Sequence, residues 1–332
     1  MAYPTTFPGP PLLGRSALPS IFVSPLIERS ALLPMFSQAV AKGILPRLGA
    51  GLAWPNTPLF PDLGFSKKDQ RGYSCHRPQR AGGAAMMTPE RLIPVLDIRR
   101  GEVVHARAGE RQFYRPLRSL LIGQTLKQTA VNLLQTAGST RLYVADLDAL
   151  LGEAPGDAVT ELLHELRECE ILLDRGRQLS QELPSNVRPV LPLEAAWSAE
   201  EHALWLRRWQ ARRPLFSLDL RQAQLAEGYQ RWDVPGPEAV LALVDQVRAI
   251  GYQALVVIDV ARVGTESGVE EISALVRSIR LRWPDMEIVA GGGVRNPQDA
   301  QELIAAGADA VLVATALHRG RWKSFDAASK RF

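Results

Sequence analysis

The regular alternation of short apolar runs with amphipathic segments, from Arg91 onward, constrains the fold of this 332-residue chain more than any other feature. Each run is rich in β-branched residues and nearly continuous in apolar character, which is typical of strands buried on both faces of a parallel sheet. Helix-period segments lie between most of the runs, so we expect helices to cover the sheet. The predicted strands are LIPVLDI (92–98), RLYVADLD (141–148), EILLDRG (170–176), RPVLPLE (188–194), LFSLDLR (215–221), ALVVIDVA (254–261), EIVAGGG (287–293) and AVLVATAL (310–317).

Eight strand–helix units of this length predict an α/β protein with a closed (β/α)8 barrel. An open, doubly wound sheet is the competing architecture, and it usually carries a glycine-rich turn after its first strand. The first turn here reads DIRRGE and lacks that fingerprint. Helix-end signals agree with the strand pattern: Ser198 and Glu201 form a capping box, and Asn296, Pro297 and Gly307 bound one later helix.

The two halves of the predicted barrel resemble each other. PVLDIRRG on the first strand matches FSLDLRQA on the fifth, and YVADLDALLG matches VVIDVARVGTESG. This repeat predicts two half-barrels with pseudo-twofold symmetry, which place Asp97 and Asp219 across the barrel mouth from each other. Two opposed carboxyl groups suit one acid and one base when their surroundings separate their pKa values. We therefore predict that Asp97 and Asp219 are catalytic.

Residues 1–88 differ from the rest of the chain. Prolines recur throughout this stretch and interrupt every periodic segment, and it has no clean signal-peptide pattern. We expect a disordered or non-native N-terminal extension over 1–88 and the barrel domain over 89–332. Translation starting at Met86 or Met87 is the interpretation we favour, and a linker or targeting role is the alternative.

Bulk composition excludes several classes of protein. The net charge of +4 is spread along the chain without a basic block, which argues against nucleic acid. The two cysteines, Cys75 and Cys169, lack the spacing of a disulfide framework or zinc site. No apolar run approaches the roughly 18 residues of a membrane span. We expect a cytoplasmic monomer without a membrane or nucleic-acid partner.

Three consecutive glycines, Gly291 to Gly293, end the seventh predicted strand and precede a capped helix. Glycine lets backbone N–H groups approach an anion closely, and a helix N-terminus adds further donors. The loops after strands seven and eight form the usual phosphate site of this architecture. The alternative is that Gly292 only eases packing at the rim. We expect this end of the barrel to bind the phosphate of a small-molecule substrate.

Six stretches of the chain, spread over about 91–325, resemble the HisA/HisF family of histidine-biosynthesis barrels. They are VLDIRRGEVVHARAGE, YVADLDALLG, SLDLR, DVARVGTESG, VAGGGV and VLVATALHRG. The resemblance is closer to the isomerase branch, which turns an aminoaldose into an aminoketose. It implies that Asp97 and Asp219 are the acid–base pair, without metal or organic cofactor and without the glutaminase partner of the cyclase branch. The predicted substrate and phosphate contacts are Gly291, Gly292, Gly293, Thr315, Ala316, Asp259, Gly264, Thr265, Arg107 and Asp148.

Departures from the family pattern favour a divergent paralogue. The family's second phosphate site uses glycine-rich ends of strands three and four, where this chain reads LLDRGRQLSQ and VLPLEAA. Gly176 is retained there, whereas Glu194 would repel a phosphate. Ile258 and Val263 replace family residues near the end of strand six. We therefore predict that one phosphate site remains.

The loop HARAGERQFYRPLRS after strand one is rich in arginine, histidine and tyrosine. It either binds the far end of an anionic or aromatic substrate or forms a solvated lid. Three functional alternatives stay open: the histidine-pathway isomerase itself, a related barrel in tetrahydromethanopterin- or methanofuran-linked one-carbon metabolism, and a non-catalytic phosphometabolite-binding barrel. A Schiff-base lyase is disfavoured, because no predicted strand ends on lysine.

Overall fold

The computed structural model describes residues 87–179, 182–193, 198–222, 224–225, 232 and 238–322. The predicted N-terminal extension falls outside this part of the chain except for its last two residues, Met87 and Thr88. Met87 packs against the apolar core, and its backbone N–H donates to Gln301 Oε1 at 2.7 Å.

Eight parallel strands close into a barrel because the first pairs with the last as well as with the second. The closing register sets Leu92 opposite Val311 and Pro94 opposite Val313. The (β/α)8 barrel predicted from the sequence is therefore confirmed. The strands are β1 (Leu92–Arg99), β2 (Arg141–Asp146), β3 (Glu170–Asp174), β4 (Val187–Pro192), β5 (Leu215–Arg221), β6 (Ala254–Asp259), β7 (Glu287–Gly291) and β8 (Ala310–Val313).

Helices connect most of the strands and cover the outside of the barrel. The predicted capping box at Ser198 and Glu201 is present, and Asn296 caps the helix that ends at Gly307. Among the described residues, no helix lies between β3 and β4. The helices are α1 (Leu126–Ala137), α2 (Leu147–Leu150), α3 (Asp157–Glu165), α4 (Ala199–Trp209), α5 (Ala239–Ile250), α6 (Glu270–Arg282), α7 (Pro297–Ala306) and α8 (Thr315–His318).

Six of the eight predicted strands end earlier than the sequence pattern suggested, and the second and the eighth show why. The second ends at Asp146, because the Asp146 side chain accepts a hydrogen bond from Ala149 N and thereby caps α2. The eighth ends at Val313, and the chain turns at once into α8. Thr315, which we predicted on a strand, is instead the first residue of this short helix.

The half-barrel repeat is visible in the backbone. Both β1 and β5 extend beyond the barrel and pair with a short antiparallel strand, Glu102–His105 for β1 and Gln224–Leu225 for β5. Arg115–Pro116 adds a further strand to the first of these extensions. The first of these extensions leads into loop one, defined here as residues 100–123.

Apolar side chains form two layers, one inside the barrel and one between the strands and the helices. Strand alternation assigns residues to these layers, since successive side chains point to opposite faces. The interior layer includes Ile93, Tyr143, Leu172, Val190, Leu215, Val256, Val289 and Leu312. At the mouth, the same alternation turns Asp97, Asp174 and Asp219 toward the barrel axis.

A network of charged side chains lies at the N-terminal end of the barrel. Glu287 accepts hydrogen bonds from both terminal nitrogens of Arg188 at 3.1 Å. Arg141 Nε also contacts Glu170 Oε2 at 2.7 Å. Burial raises the pKa of Glu287, but the neighbouring Arg188 and Arg141 outweigh it and leave the pKa lowered. These ion pairs connect the starts of β2, β3, β4 and β7.

Candidate active site

The two predicted catalytic carboxyl groups lie on β1 and β5, at the C-terminal ends of opposite strands. Both side chains face the interior, because Asp97 follows the inward-facing residues Ile93 and Val95, and Asp219 follows Leu215. Asp97 is half-buried, whereas Asp219 is only 4% exposed. The structure therefore places them at one mouth, in surroundings of different accessibility.

Burial raises the pKa of Asp97 from its usual value to about 7, although the nearby Arg111 opposes this rise. A carboxyl group with this pKa exchanges its proton at neutral pH, which ordinary aspartates do not. Asp219 is held differently: its Oδ1 lies 2.8 Å from the donating hydroxyl of Ser217, two residues earlier on the same strand.

A third carboxylate, Asp174 on β3, lies in the same interior layer. In the strand register, Ala145 on β2 is paired with Asp97 on one side and with Asp174 on the other. The Tyr143 hydroxyl donates to Asp174 Oδ2 at 3.0 Å, and Gly176 N donates to Oδ1 at 3.3 Å. Burial and the charges of Asp174, Asp219 and Asp97 raise the Tyr143 pKa well above its usual value, so its phenol stays protonated.

Our sequence reasoning missed the Tyr143–Asp174 pair. Period-two alternation could have found it, because Asp174 shares a face with Leu172, and the following Arg175 points to the other face. Arg175 indeed forms a buried ion pair with Asp146 Oδ2, at 2.9 Å from its Nε.

Two further strand-end carboxylates support loops. Asp259 is fully buried, and its Oδ1 accepts from Gln222 N at 3.2 Å and Ala261 N at 3.0 Å. Asp148 lies in α2, where its Oδ2 accepts from Arg100 N at 2.7 Å. Both were predicted as substrate contacts, and these bonds tie them to the neighbouring backbone as well.

A crevice of about 40 Å³ lies where the loops after β6, β7 and β8 meet. We call it the glycine crevice. It brings together four of the predicted phosphate contacts, Gly264, Gly292, Gly293 and Thr315. Its lining also contains a carboxylate that we did not predict, that of Glu266.

The glycines of this crevice are required by the backbone itself. Gly292 and Gly293 have φ values of 96° and 84°, which residues other than glycine rarely adopt. A Cβ on Gly292 would lie 2.7 Å from Asp259 O, and one on Gly293 would lie 2.3 Å from Gly268 O. The three-glycine stretch thus lets the loops after β6 and β7 approach closely.

The other predicted contacts lie near the crevice without lining it. Gly291 ends β7 and is buried under Leu312, and Ala316 is buried in α8. Thr265 is exposed, and its hydroxyl donates to Arg262 O at 2.8 Å. Arg107 is exposed on loop one.

Loop one crosses the mouth and contacts the crevice loops. Ala108 N donates to Val263 O at 2.8 Å, and His105 Nε2 lies 3.3 Å from Thr315 Oγ1. Burial and the charges of Arg319 and Arg107 lower the pKa of His105. The imidazole therefore favours its neutral form beside the crevice.

A second cavity, of about 230 Å³, lies on the other side of the mouth. It is lined by Arg111 of loop one, by Gly152 of the loop after α2, and by Gly176, Arg177 and Gln178 after β3. The predicted loss of a backbone phosphate cradle concerned this side, and Glu194, on which it partly depended, lies outside the described residues. Two guanidinium side chains border the cavity.

Within the described part of the chain, no group of three or more His, Cys, Asp or Glu side chains is arranged to hold a metal ion. Cys169 is buried as a free thiol. The same residues include no helix with the length and apolar character to cross a membrane.

Comparison with known proteins identifies relatives of this barrel. An uncharacterized protein, MJ0703, of Methanocaldococcus jannaschii is 25% identical over 230 residues, covering 69% of this chain and 94% of that protein. A Thermus thermophilus protein is 27% identical over 246 residues, covering 70% of this chain and 95% of its own length. It is named 1-(5-phosphoribosyl)-5-((5-phosphoribosylamino)methylideneamino) imidazole-4-carboxamide isomerase.

A Deinococcus radiodurans protein of the same name is 27% identical over 234 residues, covering 69% of this chain and 94% of its own. The family model described as histidine biosynthesis protein matches residues 91–323, which span the whole barrel. This chain therefore belongs to the histidine biosynthesis protein family.

Proposed function

We propose that this protein is an aldose–ketose isomerase that acts on an amino-sugar phosphate by an Amadori-type rearrangement. The observation that carries the proposal is the opposed pair Asp97 and Asp219 in unlike surroundings at one barrel mouth. Related proteins of similar length are named as isomerases of a phosphoribosyl compound, which supports the same reaction type.

In the proposed reaction, one carboxyl group protonates the ring oxygen of the aminoaldose, so that the C1–O bond breaks and an iminium forms at C1. The other, as a carboxylate, removes the proton from C2, and the released electron pair forms a C1=C2 enaminol. A proton returned to C1, with loss of the C2 hydroxyl proton as the C2=O bond forms, then gives the aminoketose. The sugar is oxidised at C2 and reduced at C1, so no external oxidant or reductant is required.

Removing a proton from carbon requires the stronger base, and the carboxylate of raised pKa is the stronger base. We therefore assign Asp97 to the C2 proton, since its pKa is raised to about 7. Asp219 is assigned to the ring oxygen, with the Ser217 hydroxyl at 2.8 Å fixing its orientation.

The glycine crevice is the proposed site of the substrate phosphate. Gly292 and Gly293 bring the backbone of the β7 loop to its wall, and Thr315 adds a hydroxyl. We propose that the far end of the substrate occupies the second cavity, where Arg111 and Arg177 favour an anionic or aromatic group. All these groups come from one chain, so the proposal requires neither a second copy nor a glutaminase partner.

The test is turnover of candidate aminoaldose phosphates by the purified full-length protein, followed by proton NMR at C1 and C2. The substrate of the named isomerase relatives and a ribosylamine with a single phosphate should both be supplied. We expect rearrangement that is lost in Asp97→Asn and Asp219→Asn. If both variants fold and retain the wild-type rate, the acid–base assignment is wrong; if the wild type turns over neither compound, a binding role is favoured.

The choice of substrate needs a separate test. A bacterial strain that lacks the histidine-pathway isomerase should not grow when it expresses this chain, if one phosphate site remains. Growth would overturn the prediction of a single phosphate site, while leaving the isomerase proposal intact.

A further inference from the structure

A carboxylate lies among the groups that line the glycine crevice. Glu266 is on the loop after β6, and its side chain is only 11% exposed. Its backbone has a φ of 54°, in the left-handed region that is uncommon for residues other than glycine. The negative charge of Glu266 is therefore held at a site that we propose for phosphate.

Two arginines neutralise this charge. Arg321 Nη1 lies 3.2 Å from Glu266 Oε1, and Arg319 Nη1 contacts Glu266 Oε2. Both arginine side chains are 49% exposed, and both follow α8. The ion pairs thus connect the loops after β6 and β8, which form two walls of the crevice.

The backbone of Arg319 lies beside the crevice wall. Its backbone N–H donates to Thr315 O at 3.0 Å. Its charge also lowers the pKa of His105, whose Nε2 lies 3.3 Å from Thr315 Oγ1. The Arg319 guanidinium contacts Glu266, which lines the crevice together with Thr315.

A phosphate in the crevice would lie close to the Glu266 carboxylate, and two like charges at short range oppose binding. The guanidinium fork of arginine binds phosphate oxygens in the same geometry as carboxylate oxygens. A guanidinium released from Glu266 would turn this unfavourable contact into a favourable one.

We propose that Arg319 is the charged side-chain ligand of the anionic group in the glycine crevice, and that Glu266 competes with that group for Arg319. This inference rests on the proposed function, in which the crevice holds a phosphate. It names the charged residues of that site and makes Glu266 a determinant of its affinity.

The experiment is titration of full-length wild-type protein and variants with inorganic phosphate at pH 7.5, by isothermal calorimetry or phosphorus NMR. Glu266→Gln should tighten phosphate binding about tenfold, because it releases Arg319 and removes a repulsive charge. Arg319→Gln should weaken binding about tenfold. Arg321→Gln should change the affinity less than Arg319→Gln does.

Arg248→Gln is the matched control, because Arg248 forms an ion pair with Asp285 at 2.6 Å at the other end of the barrel. Its loss lowers the net charge equally, so it should leave phosphate affinity unchanged. If Glu266→Gln weakens phosphate binding or leaves it unchanged, the proposal that Glu266 competes with phosphate for Arg319 is wrong. If Arg319→Gln binds as the wild type does, Arg319 is not a ligand.

These outcomes differ from failure of the proposed function. If neither wild type nor Glu266→Gln binds phosphate, the crevice is not a phosphate site and both proposals fall. If Glu266→Gln does not fold, a comparison of Arg319→Lys with Arg319→Gln still tests whether Arg319 binds the phosphate. Lysine retains the charge, so Arg319→Lys should bind phosphate more tightly than Arg319→Gln, and equal affinities would overturn the inference.

Discussion

Tyr143 donates a hydrogen bond to Asp174 at 3.0 Å inside the barrel mouth, within the electrostatic reach of both proposed catalytic carboxyl groups. Tyr143 and Asp174 are each more than nine-tenths buried. The phenol keeps its proton, so it binds the Asp174 carboxylate as a neutral donor. One carboxylate of the mouth is thereby fixed by a tyrosine, while Asp97 exchanges its proton.

Replacing Tyr143 by Phe should destabilise the fold by about 1–3 kcal/mol, because it leaves a buried carboxylate without one of its donors. The free energy of unfolding, measured by urea denaturation at pH 7.5, checks this. Tyr143→Phe in an Asp174→Asn background should cost less than in the wild type, since a neutral amide requires less compensation. Equal costs in the two backgrounds would show that the charge of Asp174 does not strengthen the hydrogen bond.

The pH dependence of turnover should report Asp97. As the proposed base it must be deprotonated, so kcat/KM should fall as the pH drops below about 7. Arg111 lowers the Asp97 pKa, and Arg111→Gln should therefore move this acid limb to higher pH. Arg248→Gln, at the other end of the barrel, serves as the control and should not shift the limb. If kcat/KM instead rises as the pH is lowered, Asp97 acts as the general acid.

The barrel could be predicted because each strand carries its own signal. Runs such as ALVVIDVA combine apolar, β-branched residues with a helix pattern on either side, and closure follows from their number. Asp97 and Asp219 could be predicted as opposed because the half-repeat puts them on equivalent strands. Strand ends were less certain, because Asp146 caps a helix and Thr315 begins one, and apolar patterns do not encode such local capping and turning.

The composition of the mouth was harder to predict, because it depends on contacts between distant loops. Glu266 and Arg319 are 53 residues apart, and no local pattern pairs them. The same holds for Tyr143 and Asp174, separated by 31 residues on adjacent strands. Strand alternation limits which side chains face inward, but it does not state which of them form hydrogen bonds.

The charged network at the N-terminal end of the barrel predicts a large stability effect. Glu287→Gln should destabilise the protein by about 1–3 kcal/mol, because it removes the main counter-charge of the Arg188 guanidinium, whose side chain is only 13% exposed. Asp285→Asn is the matched control, since its ion pair with Arg248 is exposed and such pairs contribute about 0–1 kcal/mol. Urea denaturation of both variants measures the difference, and similar costs would contradict the buried network's role.

A buried histidine should make the fold sensitive to acid. His202 in α4 has no exposed surface, its Nδ1 lies 2.9 Å from the Tyr252 hydroxyl, and burial lowers its pKa to about 3. The unfolded chain binds a proton near pH 6.5, whereas the folded chain does not. The stabilisation is therefore complete above about pH 6.5 and is lost progressively as the pH falls from there toward 3.

Replacing His202 by Gln removes this titration while placing a polar amide near the Tyr252 hydroxyl. The variant should be less stable than the wild type at pH 7.5, but its free energy of unfolding should fall less steeply between pH 6.5 and 4, by a difference of a few kcal/mol over that interval. Guanidinium denaturation at several pH values measures both slopes. His164→Gln, on an exposed face of α3, should retain the wild-type slope. Parallel slopes for His202→Gln and wild type would mean that His202 does not set the acid sensitivity.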